Sequence, residues 1–77
     1  MAEQTVTIHI QLLNEPFWRP TQGVPLGDGA YEVLATPGYE SSEEMWEFLP
    51  GSVVWCFAGS HDGEPVLFAR ELIRPKR

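Results

Sequence analysis

Seventy-seven residues hold one domain and little more, because a chain this short buries only about 60% of the surface that its unfolded form exposes. At 43% hydrophobic and 21% charged it carries enough apolar material for a core, which excludes a disordered chain, while seven Gly and seven Pro exclude long helices. The formal net charge of -6 is unevenly spread: up to residue 69 Arg19 is the one base against ten acids, whereas Arg70, Arg74, Lys76 and Arg77 crowd the end against Glu71.

From Thr5 to Leu12 the chain alternates, with Val6, Ile8, Ile10 and Leu12 on one side and Thr5, Thr7, His9 and Gln11 on the other. That pattern predicts a half-buried strand. Asn14-Glu15-Pro16 interrupts it, and Phe17-Trp18-Arg19-Pro20 resumes an extended segment in which each proline deletes a backbone donor, which places it on a sheet edge. Leu26-Gly27-Asp28-Gly29 tolerates positive φ, and residues 30–35 read as a second strand, so the two together predict a hairpin.

Residues 36–44 are the longest polar stretch and predict a surface loop. Ser41-x-x-Glu44 matches a capping box that would open at most one short helical turn near 42–49, before Pro50-Gly51 stops it. Trp46-Glu47-Phe48 reads equally as a short alternating strand. Residues 52–58 are apolar at nearly every position, which predicts a core strand covered on both faces. Residues 59–64 predict the next turn, and 66–73 a last strand.

About five or six short strands at this spacing predict an all-β fold, a small antiparallel barrel of SH3-like kind, with an OB-like barrel or two packed sheets as alternatives. The whole chain, 1–77, is expected to be this single β domain with a short basic C-terminal tail at 74–77. Trp18-Arg19-Pro20, the Leu-Gly-x-Gly-x-Tyr of residues 26–31 and the Trp-x-Phe-x-Pro-Gly-x-x-Val of residues 46–54 together resemble a group of small uncharacterised bacterial proteins. The resemblance spans roughly residues 17–58 and implies a small bacterial β barrel with a cytoplasmic address. It carries no catalytic residue with it.

Cys56 stands alone, so no internal disulfide forms, and the first residues lack the basic-then-apolar pattern of a signal peptide. A cytoplasmic protein away from membranes is the expectation. With Val54, Trp55, Phe57 and Ala58 around it, Cys56 reads as an inert buried thiol. His61-Asp62-x-Glu64 has the residue types of a weak metal site, but its spacing matches no ligand motif and a polar hairpin turn accounts for it. No nucleophile, base and orienting group come together, and Gly27-Asp28-Gly29 lacks the lysine and helix of a phosphate loop. No enzyme activity and no cofactor are expected.

Two non-catalytic functions are left. In the first, a protein-binding or assembly module, Tyr39, Glu43, Glu44 and Trp46 form an acidic-aromatic surface and Trp55 and Phe57 an apolar one, for another protein or a second copy, a monomer being favoured over a homodimer. In the second, a nucleic-acid-associated barrel, Arg19, Arg70, Arg74, Lys76 and Arg77 contact phosphates. The acidic body opposes the second, since phosphate neutralisation supplies most non-specific nucleic-acid affinity.

Overall fold

A computed structural model describes residues 4–40 and 42–75. Among them are five strands and no helix: β1 (Val6–Gln11), β2 (Trp18–Gly27), β3 (Ala30–Val33), β4 (Val53–His61) and β5 (Glu64–Arg74). Each strand pairs with the next in sequence, and β5 returns to β1 to close a barrel of order β1-β2-β3-β4-β5. This meander is not the Greek key of an OB barrel, nor is it a pair of open sheets.

The four sequential pairings are antiparallel, but the closing one is parallel and consists of a single register pair, His9 opposite Phe68. The expectation of a wholly antiparallel barrel is corrected at this seam. With consecutive strands reversing direction and an odd number of them, the first and last must run the same way.

The sheet-edge expectation for residues 17–20 holds for Trp18–Pro20, which pair with β1 on one side and with no strand on the other. Pro20 and Pro25 both lie inside β2, which continues from Trp18 to Gly27. The strand tolerates them because it changes partner midway: residues 18–23 pair with β1 and residues 23–27 with β3, so each half has one free side. A residue without an N–H is accepted where that side faces no neighbour. Gly23 sits at the handover, opposite both Val6 and Val33.

Two tight turns fix the hairpins. Asp28-Gly29 and Asp62-Gly63 both have positive φ at each central residue, the pattern of a two-residue turn whose twist matches its strands. The second turn is therefore shorter than the sequence predicts, because β4 runs on through His61 and pairs with Glu64.

Ile8, Ile10 and Leu12 point inward from β1 and its continuation, and Val33, Val54 and Ala69 from the other strands. The long connection between β3 and β4 completes this core. Trp46 and Phe48 enter it while Glu47 between them is exposed, so the alternating reading of 46–48 holds, but as an isolated bridge of Trp46 to Leu12 rather than a strand. The Leu13 N–H donates to the Met45 carbonyl and the Glu47 N–H to the Gln11 carbonyl, pinning the segment to the end of β1. Upstream, the Glu40 carbonyl accepts from the N–H groups of Glu43 and Glu44, a single turn. Ser41, the expected cap, lies outside the described residues.

Double coverage of residues 52–58 is corrected too. Val53 and Val54 are buried and Trp55 and Cys56 half-buried, but Phe57 is 54% exposed. The pairing of β4 with β5 shifts register between Val53 and Val54 and again between Trp55 and Cys56, and beyond these two irregularities the strand is exposed while still paired with β5. Burial pushes the Cys56 thiol up from about 9.0 to about 11. The thiolate population near pH 7 is then about 100-fold below that of an ordinary cysteine, so a neutral maleimide is expected to label the native protein slowly and the unfolded protein fast. Equal rates in the two states, followed by mass spectrometry, would show that Cys56 is freely accessible.

Candidate functional site

Beside the closing seam, on the outer surface, the strands bring five rings together. His9 projects outward from β1, between the inward Ile8 and Ile10. Across the seam its ring lies 5.6 Å from Phe68, and Phe68 meets the edge of Trp18 from β2 at 4.8 Å and 63°. His61, from the last residue of β4, stands 6.3 Å from His9. Phe17, Pro16 and Pro20 complete a groove of about 380 Å3.

Glycine allows this arrangement. A Cβ on Gly59 would stand 2.7 and 2.9 Å from two carbons of the Phe68 ring, so Phe68 lies down over β4 only because residue 59 has no side chain. Phe57, opposite Phe68 in the register and hence on the same face, extends the ring surface toward Arg70 and Glu71. The Nδ1 atom of His9 is buried with no hydrogen-bond partner among the described residues.

Acidic residues stand beside His61 at one end of the groove. Glu15 precedes Pro16, the Asp62 carboxylate lies 3.4 Å from Nε2 of His61, and Glu64 pairs with His61 across the turn. The nearest base in β2 is engaged elsewhere: Nε of Arg19 donates to Oε1 of Glu44 at 2.9 Å. Arg70 and Arg74 are exposed and belong to β5, so the basic segment begins within the barrel rather than as a tail. Lys76 and Arg77 lie outside the described residues.

The acidic-aromatic segment is largely structural. Trp46 is 2% exposed, its ring edge-to-face with Tyr39 at 4.7 Å, and its indole N–H donates to Oε1 of Glu44 at 3.0 Å. Tyr39 packs half-buried against the core, Glu43 is exposed, and Trp55 is half-buried with its ring edge against Gly29. Of the six residues read from the sequence as a partner surface, Phe57 is the one whose ring is mostly in solvent. The sequence puts His9 on the polar side of the first strand, Phe17 and Trp18 in an extended edge segment and Phe68 in the last strand, and does not join them, because the signal that does is the seam between β1 and β5.

No family model, curated protein or solved structure matches this chain. Among the described residues no three His, Cys, Asp or Glu side chains are grouped to hold a metal ion, and no helix is long and apolar enough to cross a membrane.

The carboxylate of Glu44 is held below the usual value for a glutamate, first by the Trp46 N–H and then by the Arg19 guanidinium, against an opposing desolvation. A lowered carboxylate contributes stability that is present above its ordinary value of 4.5 and lost as pH falls through the folded value below it. Glu44→Gln keeps an oxygen acceptor for the indole and removes the charge. Urea melts are expected to show it less stable by under about 1 kcal/mol at pH 7, with the gap to wild type closing by pH 3. A gap that persists undiminished at pH 3 would place the loss in shape rather than charge.

Proposed function

We propose that this barrel is a non-catalytic protein-binding module and that the groove beside the seam is its docking site. The observation that carries this is ring surface left in solvent: Phe17 is 60% exposed and Phe57 54%. Burying a phenylalanine is worth roughly 1.5–3 kcal/mol, a large forgone gain for a domain with about 5–15 kcal/mol of total stability. Contiguous apolar surface rimmed by polar groups is where partners dock, and aromatic rings give most contact energy per residue. The half-buried Trp18 and Phe68 line the groove with the exposed Phe17, and Phe57 stands beside Phe68 just outside it.

A displayed library of random dodecapeptides, panned in parallel on the native protein and on the Phe17→Ala/Trp18→Ala variant, tests this. Peptides enriched on the native protein and lost on the variant are the expected result, with circular dichroism showing that the variant keeps its sheet. If the native protein enriches nothing that the variant does not, the groove is not a docking site.

A further inference from the structure

We infer that this chain pairs with a second copy of itself along the free side of β4, Phe57 to His61, as an antiparallel two-fold dimer. This edge adjoins the groove at His61, and the inference goes beyond the docking role proposed there.

The hairpin geometry defines the edge. β3 pairs with β4 only as far as Trp55, and the Cys56 N–H makes the last contact on that side, to the Gly29 carbonyl at 3.0 Å. From Phe57 to His61 the strand is exposed and pairs only with β5. The two-residue turn Asp62-Gly63 makes His61 and Glu64 a hydrogen-bonded pair, and bonded pairs alternate from there. Phe57, Gly59 and His61 thus direct their backbone groups to β5, while Ala58 and Ser60 point theirs outward, where no described residue meets them. Pro65, opposite Ser60, fits this parity, since an unbonded pair asks no N–H of it.

Unpaired edges are ordinarily blunted by proline, lysine or a bulge. The two free stretches of β2 carry Pro20 and Pro25, and the sides of β1 and β5 meet each other at the seam. Phe57-Ala58-Gly59-Ser60-His61 has no such guard: it is free of proline and lysine, and both irregularities of β4 lie before it.

Three features select a second copy as the partner. A two-fold axis at Gly59 sets Ala58 of each copy opposite Ser60 of the other, so every outward N–H and carbonyl of these residues finds its complement. The residue on the axis, in a close unbonded pair, is then glycine. In the same register Phe57 comes opposite the other copy's His61, again in the close class of pair, which covers a ring that is 54% exposed in the single chain. Charge agrees as well. Residues 57–61 carry no acid on a chain of net charge -6, and Asp62 of one copy comes level with Cys56 of the other and, two strand spacings or roughly 10 Å across, with the exposed Arg70 beside Phe57.

Sedimentation velocity of the full-length protein from about 10 μM to about 1 mM is expected to show a monomer–dimer equilibrium. Ser60→Pro deletes an outward N–H from each copy and should weaken the dimer about tenfold or more. Ser60→Ala, which keeps that N–H, and Phe17→Ala/Trp18→Ala, in the groove, should dimerise like the wild type. In a mixture of 13C,15N-labelled and unlabelled chains, isotope-filtered NOE spectra should connect Gly59 Hα of one copy with Gly59 Hα of the other, and Phe57 with His61.

A monomer throughout that range overturns the inference. So does a dimer whose intermolecular contacts lie elsewhere, or one lost in Phe17→Ala/Trp18→Ala and kept in Ser60→Pro, which would put the contact in the groove. Should circular dichroism find Ser60→Pro unfolded, the NOE pattern of the wild type decides alone. A dimer with this register beside a groove that selects no peptide leaves the inference standing and rejects the docking role.

Discussion

Trp46→Ala is expected to leave the protein unfolded, or close to its midpoint, at 25 °C. Removing a buried tryptophan costs about 3–5 kcal/mol, and a domain of this size holds toward the low end of about 5–15 kcal/mol. The indole does three things in one place. It fills the core beside Leu12 and Phe48, it takes the edge of Tyr39, and its N–H satisfies Glu44, which in turn holds Arg19. Alanine removes all of these and frees the β3–β4 connection from the end of β1. Trp46→Phe keeps most of the volume and loses the N–H, so it should fall between the wild type and alanine in a urea melt followed by near-ultraviolet circular dichroism. A loss below about 1 kcal/mol for alanine would mean that the connection is an ornament on a core complete without it.

Gly23→Val is expected to destabilise although valine is a better strand former. Propensity alone gives valine up to about 1 kcal/mol over glycine in a strand. Against that, even a Cβ at position 23 would stand 2.9 Å from Cδ1 of Ile8 and 3.3 Å from Cγ1 and Cγ2. Ile8 is fully buried and has nowhere to go. Overpacking of this kind costs about 1–3 kcal/mol, so the steric effect wins. Ile8→Val deletes Cδ1, and in that background the milder Gly23→Ala should cost clearly less than it does alone. A double-mutant cycle whose coupling is zero would place the cause in the backbone handover rather than in the clash.

Much of this barrel was legible in single residues. The alternation of Val6, Ile8, Ile10 and Leu12 gave β1 its inward face, and Asp28-Gly29 gave the first hairpin its turn, because both are local rules with one geometric solution. Even the parallel seam is implicit in counting five strands joined by reversals. Pro20 marked a free strand side correctly, but that the same strand runs on through Pro25 to pair with β3 was not legible, because the split pairing of β2 is a property of the closed barrel. Phe57 misled for a related reason: its apolarity was visible, but whether anything covers it depends on two register shifts in β4. The groove was the least legible element. Its rings come from Phe17 and Trp18 near one end of the chain and Phe68 near the other, and nothing in either stretch announces the meeting.

The seam itself has a dynamic consequence. Four joints of the barrel are extended ladders, while the fifth is a single opposed pair backed by rings. The free energy of opening is not shared evenly around such a ring of strands; the wall parts first where its ladder is thinnest, with β1 peeling from β5 while the β4–β5 hairpin stays intact. Trp18 stands on one side of that opening and Phe68 on the other. A molecule lying across both is a clasp, and whatever affinity it has for the closed wall is returned as slower amide exchange in β1 and β5, so that occupancy of an outer surface is read in the breathing of the core beneath it.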